Sequence, residues 1–133
     1  MRKLIISVLC MILLCVASSC TLNPSVDKVI FQQVDSLSLK DSDLTETLNS
    51  NLKDGVYELQ TDKKCYIIFN GIEHSYKDIT YKTEKSTFQI VFNTDKPIEK
   101  NQIVYKLVLP ESMDTIELIQ DGEQAAFQSV YVY

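Results

Sequence analysis

The hydrophobic positions of this chain follow three patterns in succession. Residues 4–16 form one continuous apolar run, a helical stripe of leucines follows later, and short strand-like runs fill the remainder. A continuous run, a four-residue repeat and a two-residue alternation are typical of different structures, so the chain divides into segments on pattern alone.

The helical stripe consists of three leucines at four-residue spacing, Leu44, Leu48 and Leu52. Such spacing places them on one face of a helix. Asp43 can act as the N-cap, whose side chain accepts a hydrogen bond from a backbone N–H of the first turn. Glu46, three residues later, would complete a capping box. Gly55 lies where a residue in the left-handed backbone conformation, most often glycine, commonly follows a helix. The pattern predicts one helix over residues 43–53, with an apolar face that packs on a sheet.

Short runs rich in aromatic and β-branched residues predict strands. They cover residues 29–34, 56–59, 65–69, 79–83, 87–92, 102–109, 115–119 and 125–133. Asn70-Gly71 is the strongest two-residue turn signal, and further turns are predicted at Glu84-Lys85 and Asp121-Gly122. The chain is therefore predicted to be an α+β domain, mostly antiparallel β with about seven or eight strands, and one amphipathic helix packed on the sheet.

The first apolar run has the layout of a secretory signal peptide. The basic residues Arg2 and Lys3 precede it, small residues follow at 17–19, and the composition turns polar directly after Cys20. The run of 13 residues is shorter than the roughly 20 that a membrane-spanning helix requires. With a cysteine at the junction, the segment resembles a bacterial lipoprotein signal, and a plain cleavable signal with a coincidental cysteine is the alternative.

The lipoprotein resemblance implies that the sulfur of Cys20 receives a diacylglycerol, that the signal is removed and that the new amine is acylated. Two or three acyl chains on one residue should hold firmly, whereas one holds only marginally. We expect a signal peptide over 1–19, a lipidated tether over 20–27 and a single β-rich globular domain over 28–133. The domain would lie on the extracytoplasmic side of the cell membrane or the outer membrane.

The charge balance argues against one class of partner. The chain has 13 Lys and Arg against 18 Asp and Glu, a net charge of −5, and loss of Arg2 and Lys3 with the signal makes it −7. Nucleic-acid binding depends on clustered basic residues, so we expect no nucleic-acid partner. An acidic surface is also not attracted electrostatically to anionic lipid. We therefore expect the lipid on Cys20 to provide the contact with the membrane.

Residues suited to catalysis or metal binding are few. His74 is the one histidine, and Cys65 is the one cysteine after Cys20, which is too few for a four-ligand zinc site. His74 and Ser75 are chain neighbours, and neighbours on a strand point to opposite faces. Acidic residues near the helix start and the last hairpin are interpreted as caps and solvated surface. We expect no enzyme, no metal and no cofactor, and a Cys65 that packs as a small hydrophobe.

Seven tyrosines are the remaining feature, and all lie in or beside predicted strands. Tyrosine is favoured at interfaces, so Tyr76, Tyr131 and Tyr133 are candidate partner-binding residues, with packing in the core as the alternative. The last run, residues 125–133, is aromatic and uncharged. A strand of this kind is either paired on both sides or covered by a partner at an open edge. We expect pairing on both sides.

The order of the predicted elements provides a second resemblance. Its residues are 31–34, the leucine-spaced helix, 55–57, 64–68, Pro97, 102–103 and 109–110. This arrangement resembles the C-terminal domain of the protease-complex subunit PrcB family over roughly residues 28–119. Family members carry a Pro-Thr-Gly-Gly-Tyr loop where this chain has residues 70–76, and Tyr76 is the residue that matches. The resemblance implies a small β-rich module that associates with or stabilises an extracytoplasmic protease.

The sequence therefore favours a lipid-anchored extracytoplasmic binding or accessory protein that engages another envelope protein, such as a protease-complex component. An immunity- or inhibitor-type lipoprotein that blocks a secreted toxin or protease is the alternative. An enzyme or a small-ligand binder is the least favoured class, because no constellation of residues indicates a site for either.

Overall fold

A computed structural model describes residues 28–62 and 64–133, so Cys20 and the predicted signal and tether lie outside the described residues. The elements are β1 (Ile30–Val34), α1 (Ser42–Asn49), β2 (Gly55–Gln60), β3 (Cys65–Gly71), β4 (Ser75–Glu84), β5 (Thr87–Asp95), β6 (Asn101–Val108), β7 (Thr115–Gln120), β8 (Glu123–Ala125) and β9 (Ser129–Val132). The predicted α+β class, mostly β with a single helix, is confirmed. Within these residues no helix is long and apolar enough to cross a membrane.

The strands form two sheets, and both are mixed. One sheet has five strands in the order β1-β6-β3-β2-β9, and the other has four in the order β4-β5-β7-β8. The β2–β9 and β5–β7 pairs are parallel, whereas the other pairs are antiparallel. The strand count exceeds the prediction because the last predicted strand divides in two. β8 belongs to the four-stranded sheet, and the chain crosses at residues 126–128 to place β9 in the other.

The main core lies between the two sheets. Its buried side chains come from β2, β3 and β6 on one side and from β5 and β7 on the other: Val56, Ile67, Phe69, Leu107, Phe88, Ile90, Phe92 and Leu118. Alternating positions on β5 point inward, as a two-residue period requires. The rings of Phe69 and Phe92 meet edge to face with centroids 5.2 Å apart, a favoured aromatic geometry.

The helix packs on the opposite face of the five-stranded sheet, as its leucine stripe predicts. Leu44 and Leu52 are buried there and Leu48 is partly buried, next to sheet residues that include Tyr57 and Tyr66. The domain therefore has three layers, with the five-stranded sheet in the middle. Since that sheet is covered on both faces, β2 and β3 are apolar along most of their length rather than alternating.

The predicted helix boundaries are wrong at both ends. The N-cap is Asp41 instead of Asp43, and its side chain accepts from the Leu44 N–H at 3.3 Å. The helix ends at Asn49, and Gly55 opens β2 instead of following the helix. Gly55 has φ +146°, and a Cβ there would lie 2.9 Å from Gln128 Cβ, so glycine is required by β2 and the crossing segment.

The turn predicted at Asn70-Gly71 is also wrong, because both residues belong to β3. The Asn70 side chain is fully buried, and its Nδ2 donates to the Leu52 and Lys53 carbonyls at 3.1 and 2.8 Å. These tertiary hydrogen bonds outweigh the local turn preference of the pair. The β4–β5 turn likewise lies one residue later than predicted, at residues 85–86. The Asp121-Gly122 turn is confirmed, with φ values of +51° and +85° that suit a two-residue hairpin.

The strand register defines two ends of the five-stranded sheet. Ile30 pairs with Val108, and Gln60 pairs with both Cys65 and Val132. The start of β1 and the end of β9 therefore lie at one end, which we call the entry end because Lys28, the first described residue, precedes β1 there. The start of β2 and the end of β3 lie at the far end.

Candidate partner-binding surface

β9 is an edge strand with a single paired neighbour. It runs parallel to β2, from the Tyr57–Ser129 pair to the Gln60–Val132 pair, and it ends the strand order of its sheet. The Tyr133 N–H extends the pairing by donating to the Gln60 carbonyl at 2.9 Å. The expectation that the last run is paired on both sides is wrong. The other main-chain side of β9 is an open edge.

The two faces of β9 differ in burial. Tyr131 packs into the cluster beneath the helix and stacks on Tyr57 with ring centroids 6.1 Å apart. Tyr133 is 48% exposed, and its hydroxyl lies 3.2 Å from the Thr47 hydroxyl on α1. On the opposite face, Val130 and Val132 are 47% and 73% exposed. One face fixes the strand to the domain, and the other presents apolar side chains.

β9 is short, at four residues, but it lacks charge, proline and a bulge, the other devices that prevent edge-to-edge pairing. Residues 125–133 contain no charged side chain and no proline. Native edge strands are commonly protected by charge, proline, a bulge or shortness. β8 is three residues long and contains Glu123, while β1 lies between Lys28 and Asp35 and is fixed by Phe31 stacking on Tyr105. β9 is therefore the edge strand with the least protection against pairing with an added strand.

Tyr76 lies elsewhere and has a packing role. It belongs to β4 in the other sheet, and its ring contacts Phe69 and Phe92 with centroids 5.4 and 5.6 Å away. Its hydroxyl donates to Asp54 Oδ2 at 3.3 Å. Burial, together with the nearby Asp54 charge, raises the pKa of Tyr76. The structure places Tyr131 on β9 and Tyr133 directly after it, but it does not add Tyr76 to that surface.

His74 is held by Asp54 at the far end. Asp54 Oδ1 accepts three backbone N–H groups, from Ile72, Glu73 and His74, at 2.7, 2.7 and 3.1 Å. Its Oδ2 lies 2.8 Å from His74 Nδ1, whereas the Ser75 hydroxyl donates to the Lys96 carbonyl. The cluster fixes the turn between β3 and β4, and His74 and Ser75 form no hydrogen bond with each other.

The hydrogen bonds to Asp54 outweigh its burial. Burial by itself would raise the pKa of the Asp54 carboxyl, but the His74 side chain and the three backbone N–H groups lower it to about 2. Asp54 was missed in the sequence because its partners lie 18 to 22 residues away. No local pattern relates a carboxylate to a turn at that separation.

A groove of about 330 Å³ opens between the two sheets at the entry end. Its apolar lining comes from the end of β6, the residue after it and Ile116 of β7, and its polar lining from the residues Glu58, Gln60, Thr61, Lys64 and Cys65. Glu58 Oε1 accepts from Gln60 Nε2 and from the Cys65 thiol. Burial raises the pKa of the Cys65 thiol to about 12, and the Glu58 charge adds to the effect. A raised pKa keeps the thiol protonated at neutral pH, and the thiolate is the nucleophilic form of cysteine.

Comparison with protein-family models, with curated proteins and with solved structures gave no match to this chain. Among the residues that the structure describes, no three His, Cys, Asp or Glu side chains are grouped so that they could hold a metal ion. The features that bear on function are therefore the surface of β9 and the sequence that precedes the domain.

Proposed function

We propose that the protein is a lipid-anchored binding protein of the bacterial envelope. It captures an extended segment of another envelope protein, which adds as a new strand beside β9. The observation that carries the proposal is the open edge of β9, where Val130 and Val132 are exposed and no charge or proline prevents pairing. Strand addition gives affinity through main-chain hydrogen bonds and specificity through alternate side chains.

The position of β9 relative to the chain entry supports capture near a membrane. Lys28 and the end of β9 lie at the same end of the five-stranded sheet. A tether over residues 20–27 reaches at most about 28 Å when fully extended. A lipid on Cys20 would keep the entry end within that distance of the membrane, on the extracytoplasmic side.

The anchor is tested separately from the binding surface. Mass spectrometry of the mature protein should show a lipid adduct on Cys20 at its N-terminus. Cys20→Ser should release the domain to the soluble fraction or leave an uncleaved precursor, because a hydroxyl cannot receive the thioether-linked lipid. A mature N-terminus without lipid, or one that begins at another residue, would refute the anchor.

The binding surface is tested by site-specific photo-cross-linking in intact cells. A photo-reactive residue at Val132 should cross-link to another envelope protein. The same residue at Tyr81, which is 41% exposed on β4, is the matched control and should give no such product. Equal cross-linking from both positions, or products that contain only a second copy of this chain, would refute the proposal.

The identity of the cross-linked protein decides between two versions of this function. The resemblance to the PrcB family makes an extracytoplasmic protease or its complex the first partner to examine. An inhibitor- or immunity-type lipoprotein would use the same edge but would capture a secreted toxin or protease. The net charge of −5 for the full chain, or −7 after loss of Arg2 and Lys3 with the signal, suits a basic partner in either version.

A further inference from the structure

The main-chain groups of β9 divide between its two sides. The Tyr133 N–H donates to the Gln60 carbonyl of β2. Along an extended chain, the N–H and C=O of one residue point to one side and those of the next residue point to the other. The register between β9 and β2 is uninterrupted. The groups of Tyr131 therefore point to β2 with those of Tyr133, and the groups of Val130 and Val132 point to the open edge.

The same two valines carry the exposed side chains of β9. Val130 and Val132 are 47% and 73% exposed, on the face opposite Tyr131. At these two residues the strand therefore presents free main-chain groups and apolar surface together. Tyr131 differs in both respects, since its main-chain groups point to β2 and its ring packs in the cluster beneath the helix.

An antiparallel partner strand would use both features of the two valines. The partner residue directly opposite Val130 would exchange both N–H···O bonds with it, and the residue two positions along would do the same with Val132. Residues directly opposite each other also lie on one face of the sheet, with Cβ atoms about 5.5 Å apart. A parallel partner would bond through the residues on either side of the opposite one, and parallel pairing is slightly less stable per residue.

We propose that the captured segment adds antiparallel to β9 and carries apolar, β-branched residues at two alternate positions, opposite Val130 and Val132. The inference rests on the proposed function and defines the class of segment that this edge selects. Apolar side chains at these positions pack on the two valines and remove their surface from water. A charged side chain there would lose hydration against a valine without gaining a partner, so the edge discriminates against it.

The test uses a synthetic peptide as the probe, acetyl-Lys-Thr-Val-Thr-Val-Thr-Lys-amide, whose two valines can lie opposite Val130 and Val132. It is added to the full-length protein in detergent micelles and followed by amide NMR. The Val130 and Val132 amides should show saturable shifts and slower hydrogen exchange, because their N–H groups gain acceptors. The amides of β4 should show neither change.

Matched peptides with N-methyl groups test the direction and register of the added strand. Methylation of both valines removes the N–H groups that would donate to Val130 and Val132, so saturable binding should be lost. Methylation of the first two threonines removes N–H groups that would point away from β9, so binding should remain. The reverse result would overturn the inference, because it would show parallel addition or pairing shifted by one residue.

The requirement for apolar residues is tested separately. A peptide with threonine in place of both valines keeps their branched shape, loses apolar surface and should bind about tenfold more weakly. In the protein, Val132→Thr should also weaken binding of the valine peptide. Thr83→Val, at an exposed position of β4, is the matched control and should leave that binding unchanged. Thermal melts establish that both variants are folded, and equal binding of the two peptides would overturn the inference.

The absence of saturable binding by the valine peptide would overturn the inference as well. The photo-cross-link from Val132 separates this failure from failure of the proposed function. If Val132 cross-links to another envelope protein but the peptide does not bind, capture beside β9 stands and the residue pattern inferred for the segment is wrong. If the cross-link is also absent, strand capture itself is refuted.

Discussion

The edge strands β4 and β9 belong to the same domain but differ in their protection. β4 has ten residues, four of them charged: Lys77, Asp78, Lys82 and Glu84. Its register is interrupted by a bulge between Lys77 and Thr80, with Asp78 at φ +53°. β9 has no charge and no bulge along its pairing with β2.

The difference shows that an unprotected edge is not a general property of this chain. Charge and a bulge both discourage pairing with another strand, and β4 has both. Lys77 Nζ also forms an ion pair with Asp95 Oδ2 of β5 at 2.7 Å, so the Lys77 charge stays beside the neighbouring strand. An edge that is protected in one sheet and unprotected in the other is the pattern expected if β9 is kept open for a partner.

The largest expected effect on stability concerns the helix. It packs beside Tyr131 of β9, on the face of the five-stranded sheet that points away from the sheet with β4. Leu44→Ala should lower the free energy of unfolding by about 2–5 kcal/mol, because Leu44 is 1% exposed and its loss leaves a cavity. Chemical denaturation measures this change. Leu48→Ala is the control and should cost less, since Leu48 is only partly buried. Equal costs for the two would contradict the described packing of the helix.

A second expected effect concerns the turn that leads into β4. The pKa of Asp54 is lowered to about 2, so its contribution is complete above the unfolded pKa near 3.9 and is lost as the pH falls toward 2. The lowered pKa corresponds to about 2 kcal/mol of the free energy of unfolding. Solvent screens this contribution little, because the Asp54 side chain is only 15% exposed. Asp54→Asn should remove it.

Denaturation at pH 7, 4 and 2 measures the Asp54 effect. The unaltered protein should lose stability between pH 4 and 2, and Asp54→Asn should lose about 2 kcal/mol less over that range. Asp41, Asp95 and Asp121 also have lowered pKa values, so some acid sensitivity should remain in the variant. An unchanged pH profile in Asp54→Asn would refute the role of the cluster at the far end.

A smaller effect is expected where β9 contacts the helix. Tyr133→Phe removes the hydroxyl that lies 3.2 Å from Thr47, and Tyr133 is 48% exposed. The free energy of unfolding should fall by about 1 kcal/mol or less. Hydrogen exchange should be faster in β9 than in the unaltered protein and unchanged in β4. Faster exchange in both strands would show that this contact does not act on β9 alone.

The smallest effect on stability is expected for Val132→Lys. Val132 is 73% exposed, and surface substitutions of this kind usually change stability by less than about 0.5 kcal/mol. The substitution gives β9 a charge of the sort that protects β4, so partner cross-linking from Val130 should be lost. Tyr81→Lys, on the edge that is already charged, should leave that cross-linking intact.

The regular parts of the fold could be predicted from the sequence because they depend on local periodicity. Alternation in residues 87–92 predicted β5, and the leucine stripe predicted the helix and the face that it buries, although not where the helix begins and ends. The division of residues 125–133 could not be predicted, since the crossing between sheets depends on tertiary packing around Gln128 and Gly55. Asn70 shows the same limit, because its buried hydrogen bonds override a strong turn signal.

The candidate surface was only partly visible in the sequence. An uncharged aromatic run indicated that β9 was a special segment, but Tyr131 on β9 and Tyr133 directly after it face the helix, and the exposed face belongs to Val130 and Val132. The place of β9 at the edge of the sheet depends on its pairing with β2, and no sequence pattern predicts which strand pairs with β2. Glu58 was not singled out because a glutamate within an apolar strand shows neither its burial nor its partners until the sheets are placed.

Hydrogen exchange in native membranes measures whether a partner strand covers the edge of β9. The amides of β9 should exchange more slowly in membranes than in the protein purified in detergent, because an added strand would protect the outer edge of β9. The amides of β4 should exchange at the same rate in both preparations. Equal exchange of β9 in membranes and in detergent would contradict the account, since it would show that no partner covers this edge.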